Sequence, residues 1–426
     1  MTKKTDIMIV GSGVAGLYCA LNFPEDTNIT IVTKDKAYKS DSYLAQGGIC
    51  VLREESDYDA FYEDTMMAGH YENDPDSVHI MIHSSAEVIR ELVSLGVRFE
   101  KNGEEFTYTR EGAHSKPRIL FHQDQTGKEI TSHLLEAVKR RKNITMIENY
   151  TMVDLICENG ACYGIIGQDE NGHYSAIQAD YTVLATGGIG GVFEHSTNYR
   201  HLTGDAIALA LKHDIRLRHI DYIQIHPTTL YTEKDGRAFL ISESVRGEGA
   251  VLLNAKGERF VNELLPRDVV ANAIFAEMKK EQTKHVWLSF APIPETEIKT
   301  HFPNIYQHCL DEGYDITKEP IPVVPSQHYF MGGIDVDRYS KTSMERLYAA
   351  GETACNGVHG RNRLASNSLL ESLVFARRAA RHIMDGYSKA AYDREILIDE
   401  TQYAHCKEDY KKAVLAAIEK EKMSHE

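Results

Sequence analysis

The chain carries a G-x-G-x-x-G motif whose glycines are Gly11, Gly13 and Gly16, between an apolar run, Asp6–Val10, and a helix-like stretch. A second predicted strand covers Asn28–Lys34, so the motif lies in a strand–turn–helix–strand unit of the Rossmann type. The first glycine permits a tight turn, the second lets the backbone approach a pyrophosphate, and the third allows close packing of helix on strand. The helix N-terminus favours negative charge. The pattern predicts a dinucleotide site, with a glycine turn that binds nothing as the alternative.

The second predicted strand ends at Lys34, where dinucleotide-binding folds of this type commonly place an acid for the ribose hydroxyls. Simple NAD recognition is therefore not expected. Two later predicted strands, Tyr181–Ala185 and Arg346–Ala350, also end in glycine turns, at Gly187 and Gly351. One Rossmann core assembled from three distant segments, with an insertion between them, is a flavin-enzyme layout.

Periodicity predicts the elements that surround these turns. Asp74 and Pro75 give a helix start signal. Helices are predicted within Asp57–Leu95, at Ser132–Arg141 and at Asn367–Asp385. Apolar–polar alternation predicts antiparallel strands, separated by Asn-Gly turns, at Ile144–Glu158, Ala161–Asp169 and Tyr174–Leu184. Prolines, charges and short helices from His226 to Val324 indicate an inserted domain, and the Lys-, Glu- and Tyr-rich end of the chain is typical of exposed helix.

Composition excludes several classes of partner and site. The formal net charge of −16 argues against a nucleic-acid or anionic-membrane partner, although a local cationic pocket is compatible with it. Seven scattered cysteines form no C-x-x-C pair, so no disulfide framework, metal site or iron–sulfur site is expected. No stretch is apolar enough to span a bilayer, and the short apolar run near the N-terminus breaks at Gly11 without a cleavage site. We therefore expect a soluble cytoplasmic protein.

Six further motifs occur in a specific order. They are SYLAQGG (Ser42–Gly48), HPT (His226–Thr228), RGEG (Arg246–Gly249), PRD (Pro266–Asp268), HYFMGG (His328–Gly333) and RLASNSLLE (Arg363–Glu371). With these motifs the chain resembles the succinate dehydrogenase/fumarate reductase flavoprotein superfamily, and within it the L-aspartate oxidase family. The resemblance extends from about Asp6 to Arg381.

The resemblance implies an α/β fold with an α+β insertion. We expect a discontinuous Rossmann-type FAD-binding domain, an inserted capping domain and a short C-terminal helical segment. The expected division is residues 1–225 and 325–390 for the FAD-binding domain, 226–324 for the cap and 391–426 for the C-terminal segment. Cap closure would expel water from the site.

The resemblance also implies FAD as the cofactor. The residues it assigns to FAD are Gly11, Ser12, Gly13, Val14, Ala15, Gly16, Lys34, Asp41, Ser42, Tyr43, Leu44, Ala45, Gln46, Gly47, Gly48, Asp205, Glu352, Ser368 and Leu369. Relatives with covalent flavin carry a histidine where this chain has Asp41. Because an aspartate cannot form the histidyl–flavin bond, we expect noncovalent FAD. For Asp205 and Glu352, helix capping or plain surface charge is the alternative.

The same motifs also imply a set of substrate-binding residues. Arg363 is expected to clamp one carboxylate in bidentate fashion, since guanidinium geometry matches a carboxylate, and His328 would donate to the same group. His226 and Ser242 would hold a second carboxylate from the cap. A threonine is more frequent in the family where Ser242 stands, but the hydroxyl is retained.

Arg267 is the residue that the resemblance places beside the reacting carbons, with Glu243 and Arg246 as a proton relay to it. Because arginine is normally always protonated, Arg267 could shuttle a proton or act only as an electrostatic clamp. A helix-starting ion pair between Arg267 and Asp268 is the structural alternative.

An acid, Glu111, stands in the stretch TREGAHS, residues 109–115, close to this predicted cationic pocket. A carboxylate at the pocket edge repels a bare dicarboxylate and attracts one that bears an ammonium group. The resemblance therefore implies that Glu111 recognises the α-ammonium of L-aspartate. The alternative is a surface loop on which Glu111 pairs with Arg110 or Lys116.

The implied reaction is oxidation of L-aspartate to iminoaspartate, the first step of quinolinate and NAD biosynthesis. Dioxygen or fumarate would be the acceptor, with quinolinate synthase as a partner. Longer members carry a C-terminal three-helix domain, and this chain has about 45 residues beyond Arg381, room for one or two helices. A soluble fumarate reductase or related dicarboxylate dehydrogenase is the alternative, and a flavin-binding protein without turnover is a third reading.

Overall fold

A computed structural model describes residues 3–234, 236–392 and 394–424 of the chain. The strands are β1 (Lys3–Val10), β2 (Ile29–Val32), β3 (Ile49–Cys50), β4 (Lys101–Asn102), β5 (Glu105–Phe106), β6 (Ile119–Leu120), β7 (Ile144–Ile147), β8 (Thr151–Glu158), β9 (Ala161–Gln168), β10 (Tyr174–Leu184), β11 (Leu217–Arg218), β12 (Ile223–Leu230), β13 (Val251–Leu253), β14 (Val286–Ser289), β15 (Ile321–Phe330), β16 (Gly333–Asp335), β17 (Leu347–Ala349) and β18 (Ala354–Cys355).

The α-helices are α1 (Val14–Leu21), α2 (Asp41–Leu44), α3 (Tyr58–Ala68), α4 (Pro75–Ser94), α5 (Thr126–Arg140), α6 (Asp205–Lys212), α7 (Glu243–Gly247), α8 (Arg267–Glu281), α9 (Glu295–His301), α10 (Pro303–Asp311), α11 (Asn367–Asp385) and α12 (Cys406–Ser424). Short 3₁₀ turns cover Glu55–Asp57, Gly190–Val192, Gly351–Thr353 and Glu400–Tyr403. None of the helices in the described ranges is long and apolar enough to cross a membrane.

The central sheet has the strand order β7-β2-β1-β10-β9-β8, and β17 also pairs with β10. β7, β2, β1, β10 and β17 are parallel, as in a Rossmann core. Val10 pairs with Leu184, and Leu184 pairs with Ala349, so three strands from distant parts of the chain end side by side. The predicted assembly of one core from three segments is confirmed.

One predicted strand, Ile144–Glu158, is wrong in its extent and partly in its direction. It is divided into β7, which pairs in parallel with β2, and β8, which pairs antiparallel with β9. Asn149 lies between them with a φ of 54°, in the left-handed region that ends a strand. The predicted Asn-Gly turn after β8 is present, and both Asn159 and Gly160 have positive φ, as a type I′ hairpin requires.

The cap has its own sheet, in the order β12-β15-β14-β13, and its own apolar core. Leu230, Val270, Leu288 and Phe290 are buried in that core together with the helices of the insertion. The expected boundaries at residues 226 and 324 fall within β12 and β15. We propose that these two long strands connect the cap to the FAD-binding domain.

Two predicted helices match closely, and a third begins earlier than expected. α11 spans the predicted residues, and α4 begins at Pro75 with the Asp74 carboxylate accepting from the Ser77 N–H at 2.9 Å. α5 begins at Thr126 rather than Ser132. The sequence did not predict its first turn because Gly127 weakens helix propensity, but this glycine packs closely against Ser42 of α2.

The C-terminal helix is less exposed than its composition suggests. α12 buries Val414 and Ile418 in the same core cluster as Ile207 of α6. The Tyr403 hydroxyl, just before α12, donates to Asp154 of β8 at 3.0 Å. This helix therefore supports the turn that leads into α6, at the edge of the cavity described below.

We expect Ile418→Ala to lower the free energy of unfolding by about 2–5 kcal/mol, because the buried side chain leaves a cavity between α12 and α6. Chemical denaturation of the purified protein measures the change. Met423→Ala, on the same helix but 73% exposed, is the matched control and should change stability little. Equal effects of the two substitutions would contradict the packing of α12 on α6.

Candidate active site

A large cavity lies where the carboxyl ends of β1, β10 and β17 meet the cap sheet. It encloses about 1630 Å³ of space outside the protein atoms, including solvent at its mouth. Its lining runs without a break from Gly11 and Gly13 to Glu111 and Arg363, so one cavity joins the glycine turn to the cationic residues. Its position, at the carboxyl ends of parallel strands, is where α/β sheets generally bind ligands.

One end of the cavity suits a pyrophosphate. Gly11 has a φ of +116°, and a Cβ there would collide with the carbonyl of Ala185, the residue after β10. Gly13 is the N-cap of α1 and has no side chain to cap it; the Val14 N–H donates to the Ser42 hydroxyl at 3.2 Å, and Gly13, Ala15 and Ser42 line the cavity. The N-terminus of a helix, with its N–H groups and dipole, favours an anion.

Beyond this end, Lys34 stands where such folds commonly place an acid, and it bonds to acceptors at the start of α6. The Lys34 ammonium donates to the Asp205 carboxylate at 2.7 Å and to the Thr203 hydroxyl at 2.8 Å. Asp205 is the first residue of α6 and lines the cavity, but the N-cap is Gly204 and no side chain caps the helix, so the helix-capping alternative is wrong.

Two half-buried carboxyl groups, Asp41 and Glu352, line the middle of the cavity. Burial raises the pKa of Asp41 to about 7, although the Tyr199 N–H and Arg237 oppose it. Burial, together with repulsion from Asp41, raises the pKa of Glu352 to about 8. Glu352 accepts from the Phe330 N–H at 2.9 Å. Both groups thus carry a proton in a substantial fraction of molecules near neutral pH and can then donate hydrogen bonds.

Most of the residues assigned to FAD line this cavity. The exceptions are Val14, Gly16 and Tyr43. Val14 and Gly16 are buried inside α1, where Gly16 packs against the Gly11 carbonyl. The carbonyl oxygen of the Gln46 side chain is buried and has no hydrogen-bond partner in the part of the chain that the structure describes. The N-terminus of α1, the glycine turn before it and this unpartnered oxygen fit an FAD molecule.

The other end of the cavity holds two buried guanidinium groups, Arg267 and Arg363. The Gln224 carboxamide oxygen accepts from both, at 2.9 Å from Arg267 Nη1 and 3.3 Å from Arg363 Nε. Arg363 also donates to the Ser368 hydroxyl at 2.5 Å, and its Nη2 lies 3.3 Å from His328 Nε2. Burial and the nearby Arg267 charge lower the pKa of Arg363 to about 10, which leaves it cationic at neutral pH.

The two predicted histidines lie together, with ring centroids 5.1 Å apart. Burial and the neighbouring arginines hold the pKa of both His226 and His328 well below the usual range, so both rings are neutral. His226 Nδ1 lies 3.1 Å from both the Thr228 N–H and the Thr228 carbonyl oxygen, so either tautomer of the neutral ring is satisfied at this nitrogen. His226 Nε2 is buried and unpartnered among the described residues, so it is the ring nitrogen available to a molecule in the cavity.

Arg267 pairs with Glu243 through Nε. The alternative of an Arg267–Asp268 pair is wrong, because Asp268 contacts His70 at 2.9 Å instead. Burial acts to raise the pKa of Glu243, but Arg267 and Arg246 outweigh it and hold the pKa below its usual value. Arg246 does not line the cavity.

Arg246 lies behind Glu243, with Nη2 3.6 Å from its carboxylate, and donates from Nη1 to the Glu263 carbonyl. Its position is that of a group that orients Glu243, not one that can touch a molecule in the cavity.

Glu111 lies in the cavity wall and is only 3% exposed. The surface-loop alternative is therefore wrong, and Lys116 pairs with Asp57 at 2.7 Å. The two Glu111 oxygens accept from the Ser244 hydroxyl at 2.7 Å and the Ser366 hydroxyl at 2.6 Å. Burial and repulsion from Glu243 raise the pKa of Glu111.

Several cavity or neighbouring residues were not predicted. Gln224 could have been found, because it lies two residues before His226 on a strand and shares its face. Ser366 stands inside the RLASNSLLE motif, and Ser244 follows Glu243 directly. No local pattern indicates Thr197, whose hydroxyl lies 2.7 Å from His328 Nδ1, because it comes from an irregular loop.

Comparisons with known proteins agree with this geometry. Residues 6–369 match the family described as "FAD binding domain". The chain is 53% identical over 384 residues to an L-aspartate oxidase of Clostridium perfringens, covering 90% of this chain and 87% of that protein. It is 41% identical to an L-aspartate oxidase of Neisseria meningitidis, covering 91% and 79%.

A solved structure of an E. coli quinol fumarate reductase has a TM-score of 0.86 at 28% identity, covering 99% of this chain and 74% of that chain. A flavocytochrome c3 fumarate reductase in an open conformation has a TM-score of 0.71 at 26% identity, covering 90% and 79%. These similarities confirm the predicted FAD-binding α/β fold and FAD as the cofactor.

Because Asp41 cannot form the histidyl bond, we expect FAD to leave the protein on acid precipitation. The purified holoprotein should be yellow, and its flavin should appear in the supernatant after the protein is pelleted with acid. Absorbance of supernatant and redissolved pellet measures the distribution. Flavin retained by the denatured chain would contradict noncovalent binding.

Proposed function

The chain belongs to the L-aspartate oxidase family, and we propose that it oxidises L-aspartate to iminoaspartate with bound FAD. The observation that carries this proposal is the buried carboxylate of Glu111, which shares one cavity with the guanidinium groups of Arg267 and Arg363. A substrate with two carboxylates and one ammonium group complements both signs of charge. A bare dicarboxylate complements only the arginines.

The two carboxylates of the substrate have separate donors in this proposal. Arg363 binds one carboxylate with two parallel N–H groups, and His328 lies beside it within 3.3 Å. His226 Nε2 binds the other from the cap side of the cavity wall, where Ser242 also lies, although the Ser242 hydroxyl donates its proton to Ser244 Oγ. A neutral His226 donates to a carboxylate without adding charge that must be buried, whereas the neutral His328 accepts from Arg363 Nη2 and so orients the guanidinium.

The substrate ammonium group is proposed to lie against Glu111. Its N–H groups would donate to the carboxylate oxygens, which already accept from two serine hydroxyls and have lone pairs remaining. Repulsion between Glu111 and Glu243 favours an added cation, because it would reduce the cost of two neighbouring buried carboxylates.

FAD, when bound, supplies the hydride acceptor for the carbon–hydrogen bond that is broken. The residues of the chain contribute orientation, electrostatics and exclusion of water. Glu243 and Gln224 fix the Arg267 guanidinium from two sides, so its positive charge faces the substrate without reorganisation. We propose that Arg246 keeps Glu243 ionised and so acts through it.

Further parts of the proposal concern the cellular reaction. Either fumarate or dioxygen would reoxidise the cofactor, and iminoaspartate would pass to quinolinate synthase in NAD biosynthesis. We place the reaction in the cytoplasm, where the seven cysteines, all free thiols here, would stay reduced.

Fumarate reduction is the second candidate function, and the structural similarity to fumarate reductases favours it. The arginines and histidines of the cavity would bind either dicarboxylate. Glu111 distinguishes the two functions, because a bare dicarboxylate has no group for it.

We expect Arg363→Lys to lower kcat/KM for L-aspartate by roughly 10- to 100-fold, because an ammonium group cannot make two parallel bonds to one carboxylate. Steady-state kinetics at matched FAD occupancy measure this. Arg361→Lys, at an exposed neighbouring position, is the control and should leave kcat/KM nearly unchanged. Near-normal kinetics of the first variant would remove Arg363 from the substrate site.

Glu111→Gln should weaken L-aspartate binding by about 1–3 kcal/mol, since a charge-assisted hydrogen bond is lost. Succinate should bind as well as before or more tightly, because a like charge is removed. Dissociation constants for both ligands at equal FAD content measure the ratio. Glu104→Gln, exposed in the same part of the chain, is the control, and an unchanged aspartate-to-succinate ratio in Glu111→Gln would refute amine recognition by Glu111.

A further inference from the structure

The hydroxyl groups on either side of Glu111 have no role in the proposal above. Ser244 lies on α7 in the cap, and Ser366 is the N-cap of α11 in the FAD-binding domain. Their side chains are 9% and 7% exposed, and each donates to a different oxygen of Glu111. The carboxylate is thus held between two domains.

The oxygen of each serine also accepts a hydrogen bond from another donor. The Gly48 backbone N–H, which can only donate, points to Ser366 Oγ at 3.1 Å. Ser242 Oγ donates to Ser244 Oγ at 3.1 Å and itself accepts from the Ser244 N–H at 3.2 Å. Since a hydroxyl has one proton and a Glu111 oxygen is the acceptor that each serine faces, both serine protons are directed at Glu111.

Some of the charged and titratable groups around Glu111 raise its pKa, and others lower it. Glu243 repels it, and Arg267 attracts it. Arg246 and Arg363 also interact with its charge, and the Cys50 thiol nearby is kept neutral because burial raises its pKa. Burial is the largest influence and favours the neutral acid, whereas the hydrogen bonds from the two serines favour the anion.

We propose that Ser244 and Ser366 are specificity-determining positioning residues, which hold Glu111 as an oriented anion for the substrate ammonium group. This inference rests on the proposed function, because it assigns a purpose to the charge of Glu111. Ser366 also connects Glu111 to Gly48, a residue of the loop assigned to FAD, so the amine-binding group and the cofactor loop share one hydrogen-bonded chain.

The first test is the pH dependence of Ser244→Ala holoenzyme. Loss of a donor raises the pKa of Glu111 further, so the anion forms only at higher pH. The rising limb of kcat/KM for L-aspartate should move up by about one pH unit, and kcat/KM below the limb should fall roughly tenfold. The dissociation constant of succinate should stay the same or decrease. Ser244→Thr, which keeps the hydroxyl, should return the rising limb of kcat/KM to its wild-type pH.

The second test approaches Glu111 from the other domain. Ser366 has a φ of 62°, so Ser366→Gly removes the hydroxyl without adding backbone strain. The same upward shift of the limb is expected. FAD content is measured separately, because the Gly48 N–H loses its acceptor in this variant.

The outcomes separate this inference from the proposed function. A shifted limb with undiminished succinate binding supports it, whereas equal weakening of both ligands would show that the serines are only structural and would overturn it. If Glu111→Gln changes the aspartate-to-succinate ratio while Ser244→Ala and Ser366→Gly leave the limb in place, the inference fails and the proposed function stands. If Glu111→Gln leaves that ratio unchanged, the proposed function fails, and the inference with it.

Discussion

The site depends on keeping two guanidinium groups, Arg267 and Arg363, buried side by side. Both lie almost entirely out of water, and like charges in such a position are costly unless other groups compensate them. Glu243 pairs with one of them, and the carboxamide oxygen of Gln224 accepts from both. The arrangement leaves cationic surface facing the cavity, which a dicarboxylate substrate would neutralise.

This constraint explains why the site needs both parts of the chain. Glu243 and Arg267 come from helices of the cap, whereas Arg363 and Glu111 come from the segments that surround the parallel sheet. β12 carries Gln224 and runs between the two parts, so one strand aligns the arginines of both. Because these charges are buried, they act more strongly than they would at the surface.

The sequence allowed the strand ends to be predicted, because a glycine turn directly after a buried strand is typical of the ligand-binding edge of a parallel sheet. It also allowed the positions of Glu111, Arg267 and Arg363 in the cavity wall to be anticipated from motifs. It did not predict that β7 runs parallel to β2, because one left-handed residue, Asn149, separates it from β8. Hydroxyl partners such as Thr197 escaped prediction, since tertiary packing brings irregular loops to the site without a local pattern.

The central claim is that the cavity distinguishes a dicarboxylate that bears an ammonium group from one that does not. Anaerobic mixing of the holoenzyme with L-aspartate or with succinate, followed by flavin absorbance, tests it most directly. We predict that L-aspartate bleaches the flavin and yields oxaloacetate and ammonia after the imine hydrolyses, while succinate binds without reducing it. Faster reduction by succinate than by L-aspartate would contradict the account.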